Sequence, residues 1–442
     1  MEKISARRAA VLSLARIEKD GRYSNIELDT AIKKYGLEGA EKGLYSRIVY
    51  GVLERLFTLD AIVSSVCSRE LPSLDGEIRA ILRAGAYQLH FLNKIPQSAA
   101  VNESVKLAEG FGKGAMGFVN GVLRSVSKID LEDFFNKKEK ELSKAEFLSV
   151  KYSVSSETAE LILSQYGESK AEDILKNLLG EDKGMSLRVN TLKTTPSLLA
   201  SQMNAEVSEL FGSCIVTSKG FAVESEEHFK LGEYFVQSEP SALCARALGA
   251  RRGDKVIDAC ACPGGKTFSV AIDMENEGEI IACDLHENKL SLISKGASRL
   301  GISIIDTVCL DGRVEKSELI GYADRVLCDV PCSCLGTISK KPEIRYKSPS
   351  EYGRLPEIQY GILKNTAKYL KKGGVLVYST CTFDKAENEG VIRRFLDEAP
   401  DFTPEDIEFD KSFDVYRDGL GTCFLPCKAC PDGFYIAKLV RK

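Results

Sequence analysis

The sequence predicts an all-α bundle over residues 1–130, a small α+β connector over 131–240 and an α/β domain over 241–442, with a mostly parallel sheet and helices on both faces. Three observations carry this reading. Apolar residues recur three and four apart through the first third, the spacing of helices with one buried face. After residue 240, short apolar runs alternate with helical ones, as in βαβ units. Finally, a chain of 442 residues is too long for a single hydrophobic core.

In the first region AAVLSLARI, LYSRIVYGVLERLFTLDAIVSSV, IRAILRAGAYQLHFL, SAAVNESVKLAEGF and MGFVNGVLRSV read as helices, with breaks at Pro72, Pro96 and Gly112. Short breaks between long periodic segments predict a bundle. This region carries about +4 net charge and the remainder about −8, a small tilt in the direction that nucleic-acid contact needs. The connector opens with charged helices (LEDFFNKKEKELSKAEF, ETAELILSQYG, AEDILKNLLG), continues with the strand-like MSLRVNTLK and has alternating segments around CIVTS and GFAVES. In the third region KVIDAC, GEIIACD, DTVCLD, RVLCDV and GVLVYST are predicted strands. KTFSVAIDM, ENKLSLISKGASRLG and EIQYGILKNTAKYLKKG are the helices, and GFYIAKLVRK is a last strand pairing antiparallel at an edge.

The composition, 44% hydrophobic and 28% charged with net charge −4, is that of a soluble globular protein. No stretch approaches the roughly 18 apolar residues of a membrane span, so no membrane partner is expected. The opening MEKISARRAAVLSLARIEKDG reads as an amphipathic helix, because Arg16, Glu18 and Lys19 interrupt its apolar run and no small-residue cleavage site follows. Fourteen cysteines, concentrated after residue 240, then stay reduced, which predicts a cytoplasmic protein. Cys260, Cys283, Cys309 and Cys328, in or beside apolar strands, read as small buried hydrophobes.

The first strand of the third region runs into DACACPGGKTF, residues 258–268. A strand, a small-residue turn and a helix N-terminus let backbone amides approach a ligand closely. A phosphate-binding loop fits poorly: its first glycine would fall at Cys260, and Pro263 removes an amide. A dinucleotide fingerprint needs G-x-G-x-x-G, which is absent. The reading left is S-adenosyl-L-methionine. Asp284, about 20 residues beyond Gly264, ends the second strand, where an acid accepts from ribose hydroxyls. Asp311, at the end of the third strand, is placed for the adenine edge. Single strand-end aspartates also cap helices; a series at successive parallel strands points to a ligand.

Asp329 ends the fourth strand, Cys332 follows it in DVPCSCLG, and Cys381 follows the fifth strand in YSTCTF. Thiols beside a methyl donor suit methylation of a pyrimidine at carbon 5, which has no nucleophilic lone pair. A thiolate adding to carbon 6 makes carbon 5 nucleophilic. One cysteine suffices for the attack and a second can serve the breakdown. Asp329 hydrogen-bonded to N3 would stabilise developing charge.

DACACPGGKT, DVPCSCLGTISKKPEIRY and YSTCTFDKAENEG closely resemble the motifs of the RNA cytosine-5 methyltransferases. The helical first third is similar to the antitermination factor NusB, and the pairing resembles the Sun/RsmB subfamily of 16S ribosomal RNA cytosine-C5 methyltransferases. The resemblance spans essentially the whole chain. It implies a Rossmann-like class I methyltransferase domain behind a NusB-like RNA-binding bundle. It assigns attack to Cys381, product release to Cys332, and the cofactor turn to Cys260, Ala261, Cys262, Pro263, Gly264, Gly265 and Lys266. Asp284, Asp311 and Asp329 become the cofactor and catalytic acids, and RVNTLK (188–193) is expected to help hold RNA. A monomer acting on free or partly assembled 16S RNA, without DNA or metal, is the expected state; a transfer-RNA substrate and a non-catalytic assembly factor are the alternatives.

The chain departs from the family pattern at Cys262, where alanine is usual, and at Cys334, where a small residue is commoner. A thiol at 262 beside the cofactor suggests sensitivity to oxidation. Cys423, Cys427 and Cys430 lack a fourth ligand for zinc. Lys340, Lys341, Arg345, Tyr346 and Lys347 are expected to meet phosphate and bases. Arg7, Arg8, Arg47, Arg55 and Arg83 are candidates for RNA contact in the bundle.

Overall fold

The computed structural model describes residues 4–179, 184–218, 221, 223, 226–409 and 413–442. Most of the GFAVES segment, where alternation was predicted, lies outside them. The chain forms two compact units, 1–179 with 338–349 and 180–337 with 350–442.

The first unit is helical throughout its ordered elements, from Ala6–Asp20 to Glu168–Leu178. Ser5 caps the first helix by accepting from the Arg8 amide, and Gly21 ends it in the left-handed region, where glycine carries no Cβ penalty. The predicted breaks fall where proline and glycine put them: Pro96 and Gly112 both precede helix starts. Tyr45, Ile48, Leu59, Ile62 and Ile81 fill the core.

The helices of 131–179, expected in the connector, belong instead to this unit. Thr58 Oγ1 donates to Val150 O at 2.6 Å and the Phe57 amide to Ser153 Oγ at 3.0 Å. Segment 338–349 also belongs here, which corrects two assignments. Arg345 is 1% exposed and donates to the carbonyls of Tyr152 and Leu178, while Tyr346 packs edge-on against Phe57 at 5.5 Å. Arg345 therefore cannot meet RNA, and Tyr346 is half-buried; Lys340, Lys341 and Lys347 are exposed. In the bundle, Arg83 is buried on Asp60 and Glu18, and Arg55 lies over the Phe91 ring at 4.4 Å. Arg7 donates to Gln88 and Arg8 pairs with Glu77, leaving Arg47 as the candidate most open to solvent by position.

The second unit holds two sheets. The smaller is antiparallel: β1 (Ser186–Val189), β2 (Glu206–Val207), β3 (Cys214–Val216) and β4 (Tyr234–Val236), in the order β2-β3-β1-β4. The RVNTLK stretch works here as a staple. Arg188 is buried on Asp273 at 2.9 Å. Asn190 donates to the carbonyls of Gly232 and Leu300, and Lys193 reaches those of Leu231 and Arg299.

The larger sheet contains β5 (Lys255–Asp258), β6 (Glu279–Asp284), β7 (Ile305–Cys309), β8 (Ala323–Asp329), β9 (Leu370–Thr380), β10 (Phe402–Glu405), β11 (Val415–Arg417), β12 (Thr422–Phe424) and β13 (Phe434–Arg441). β9, β8, β5, β6 and β7 run parallel in that order. The order reverses between β5 and β8, the topological switch point where such sheets bind ligands. β13 pairs antiparallel with β9 as predicted, but it is not an edge, since β12 and β10 pair with it in turn. Two smaller corrections follow. The predicted helix EIQYGILKNTAKYLKKG ends at Thr366, and its KKG already lies in β9. Cys309 is exposed and Cys260 half-buried, whereas Cys283 and Cys328 are buried as expected.

Because Arg345 satisfies two buried carbonyls from a site with no solvent, burial lowers its pKa to about 10. Arg345→Ala should destabilise the first unit by about 2–4 kcal/mol, read as a lower urea midpoint of the far-ultraviolet dichroism transition of the full chain.

Candidate active site

The turn after β5 is pinned by its backbone. The Ala259 amide donates to Leu327 O, that of Ala261 to Cys283 O and that of Gly264 to Ala261 O, at 2.7–2.9 Å. The Cys262–Pro263 peptide is cis. Gly264 has φ +111°, and a Cβ there would lie 2.4 Å from the Phe268 ring, so only glycine fits. Beneath the turn, Thr267 Oγ1 donates to Asp258 Oδ2 at 2.7 Å. Burial raises the pKa of Asp258 to about 7. This latch was missed from sequence, although the strand-end carboxylate was its signal.

Asp284 is half-buried at the end of β6. It accepts from the His286 amide at 2.9 Å and from the Cys262 amide at 3.3 Å, so it ties the turn to the loop that leads into the next helix. Asp311 lies two residues beyond β7, not at its end, and engages Arg313 through Nε, Nη2 and the amide at 2.7–3.0 Å. Hydrogen bonding from Arg313 holds its pKa below the usual range. The Cys262 thiol is pushed up to about 11 by burial and by Asp284. A thiol so protonated is a poor nucleophile, which runs against oxidation sensitivity.

Lys266 does not serve the turn as a free cation. Its ammonium donates to Asp329 Oδ2 at 2.6 Å, and Ser379 Oγ donates to Asp329 Oδ1 at 2.6 Å. Burial acts to lower the Lys266 pKa, but Asp329 outweighs it and keeps the lysine charged. A phosphate at this turn would meet carboxylates with the turn's own lysine already engaged. A sulfonium cation and hydroxyl donors suit the same donor set, so the residues fit S-adenosyl-L-methionine.

Beside Asp329 the two cysteine loops converge. Cys332 Sγ lies 3.2 Å from Cys381 Sγ, and Cys334 Sγ lies 4.0 Å from Cys332 Sγ. Hydrogen bonding with Cys334 and Cys381, followed by burial, holds Cys332 well above the usual thiol range. For Cys381 the bond with Cys332 works downward, but Cys334 and burial prevail and its pKa is also raised. A clasp that sequence reasoning missed joins the loops. Glu387 Oε2 accepts from the Ser333 amide at 2.9 Å and from Gln359 Nε2 at 2.7 Å. Gln359 also donates to Pro331 O. The Gly336 amide donates to Cys381 O, and a Cβ on Gly336 would fall 1.9 Å from Gly433 O.

Comparison with known proteins shows the family. Residues 245–440 match the family described as 16S rRNA methyltransferase RsmB/F, and residues 4–128 match the NusB family. The probable ribosomal RNA small subunit methyltransferase B of Bacillus subtilis is 36% identical over 461 residues, covering 100% of both chains. The chain belongs to the RsmB/F methyltransferase family. It is an S-adenosyl-L-methionine-dependent RNA methyltransferase. Its Synechocystis relative, also called a probable ribosomal RNA small subunit methyltransferase B, is 32% identical over 99% of this chain and 100% of the other. Among solved structures, a methyltransferase homologue from Pyrococcus horikoshii superposes with TM-score 0.59 at 26% identity, over 67% of this chain and 98% of that one. PH0851 shares the fold over 99% of both chains, with TM-score 0.81 at 24% identity.

In this RsmB/F enzyme the raised Asp258 pKa has a consequence for stability. Between the ordinary carboxylate value of 3.8 and about 7 the folded state keeps a proton that the unfolded chain has lost. Stability conferred by Asp258 therefore falls as pH rises through that window and is level above it. Asp258→Asn should flatten the slope, measured as denaturant midpoints at about pH 5 and about pH 8.

Proposed function

We propose that this enzyme methylates carbon 5 of a cytosine in 16S ribosomal RNA through a transient bond between Cys381 Sγ and carbon 6 of the base. The observation that carries the reading is the 3.2 Å approach of Cys332 and Cys381 beside the Lys266–Asp329 pair. The turn from Cys260 to Lys266 would hold the methionine end of the cofactor, Asp284 its ribose hydroxyls and Asp311 its adenine edge. The bound cofactor supplies an electrophilic methyl group.

Cys381 attacks carbon 6 as a thiolate, its proton having passed to solvent base. The ring's electron pair moves towards carbon 5, and charge grows at N3 and O2. Asp329, with Lys266 behind it, would hydrogen-bond N3 and stabilise the charge that develops there. After methyl transfer, carbon 5 carries a surplus proton. Cys332, deprotonated, removes it; the C5–H electrons restore the ring double bond and Cys381 leaves as thiolate. Both thiols rest protonated, so turnover needs base-catalysed activation and rises with pH.

The substrate reading rests on the NusB-family match over residues 4–128 and on full-length relatives named for small-subunit RNA. An out-of-stack cytosine must enter the site, which favours free or partly assembled RNA bound by a monomer. A cytoplasmic enzyme with reduced thiols fits this chemistry. Cys381→Ala should abolish both turnover and covalent RNA attachment, whereas Cys332→Ala should accumulate a protein–RNA adduct that survives denaturing electrophoresis. The reverse pattern would exchange the two roles. Bisulfite sequencing of ribosomal and transfer RNA from cells lacking the protein identifies the base.

A further inference from the structure

Methyl transfer needs two thiols, and the site contains three. Cys332, Cys334 and Cys381 offer sulfurs that all lie within 4.8 Å of one another. Each residue is half-buried. The third is held there at a cost. Cys334 has φ +61°, a left-handed conformation that glycine adopts freely and that costs other residues about 1 kcal/mol. Its backbone carbonyl accepts from the Thr337 amide at 2.8 Å, so the turn is fixed, and its sulfur lies 3.5 Å from Cys332 O and 4.0 Å from Cys332 Sγ. A strained backbone that aims a surplus soft ligand at two others calls for a use of that ligand.

We propose that Cys332, Cys334 and Cys381 form a binding site for a thiophilic d10 cation, zinc(II) or copper(I), whose occupation withdraws the nucleophile and silences the enzyme. Metal–sulfur bonds of about 2.3 Å at tetrahedral angles hold sulfurs about 3.8 Å apart. The observed 3.2 and 4.0 Å separations bracket that value, so side-chain adjustment suffices. Three thiols lose three protons to solvent as three metal–sulfur bonds form, with no change of oxidation state. The fourth position stays open to water, as in sites with three protein ligands. With zinc the cluster carries net charge −1, and the nearby Lys266 ammonium, which interacts with Cys381, offsets it. Soft sulfur donors select these ions over magnesium or calcium. Binding itself does not depend on the methyl-transfer reading; only the silencing does.

The test uses the full, reduced chain free of RNA and cofactor. Zinc(II) is titrated in competition with a chromophoric chelator, cobalt(II) reports thiolate ligation by its charge-transfer absorption, and copper(I) forms a parallel arm. Wild type should hold one equivalent with the cobalt spectrum of a tetrahedral sulfur site. Cys334→Ser should bind at least about tenfold more weakly, and Cys427→Ser should match wild type. Methyl transfer of each protein, normalised to its own metal-free rate, should be blocked by one equivalent of zinc in wild type, restored by chelator, and resistant in Cys334→Ser. Failure to retain either metal, undiminished affinity in Cys334→Ser, or loss of binding in Cys427→Ser would overturn the site. Tight binding at this cluster without inhibition would overturn the silencing, and a metal-free wild type with no methyl transfer would count against the catalytic reading alone.

Discussion

The parallel pairing of β8 with β9 sets everything else at this site. In its register Asp329 stands opposite Ser379, so both strands leave the sheet at the same level and their two loops begin side by side. Cys332 follows three residues after one strand and Cys381 immediately after the other. A slip by one residue would turn each side chain to the opposite face and separate the sulfurs. The register is locked from outside the strands by the clasp of Glu387 on Ser333 and Gln359 and by the close backbone approach of Gly336 and Gly433.

Charge is arranged with equal economy. The carboxyl ends of β5, β6 and β8 carry Asp258, Asp284 and Asp329, yet each is handled differently. Asp258 is buried and titrates near neutrality, Asp284 is held by two amides, and Asp329 is held by Lys266 and Ser379. The single lysine of the turn therefore serves the carboxylate beside the thiols and leaves the turn itself hospitable to a cation. This division is what makes the same loop a cradle for a sulfonium donor and a poor one for phosphate.

The strand alternation, the switch-point turn and the convergence of Cys332, Cys381 and Asp329 were all legible in the sequence, because strand-end position follows directly from apolar runs that stop at a polar residue. What failed was the inference from charge to exposure. Arg345, Tyr346, Arg83 and Arg188 look like an RNA-facing set in the sequence, but the three arginines are buried against carbonyls or carboxylates and Tyr346 is half-buried against Phe57. Arginine's fork serves interior carbonyls as readily as phosphate, and only tertiary structure separates the two uses. The fate of 338–349 was equally hidden, since no local pattern says that a segment will pack within a helical unit remote in sequence. Glu387 and Gln359 escaped notice because their partners lie 54 and 28 residues away.

The central claim is that a sulfur–carbon bond forms at Cys381, and 16S RNA carrying 5-fluorocytidine tests it most directly. Fluorine at carbon 5 cannot leave as the proton does, so the adduct cannot resolve. After incubation with S-adenosyl-L-methionine and digestion, mass spectrometry should find the methylated, fluorinated base attached to the peptide containing Cys381. Attachment at Cys332, or no attachment from a preparation that methylates ordinary RNA, would contradict the account.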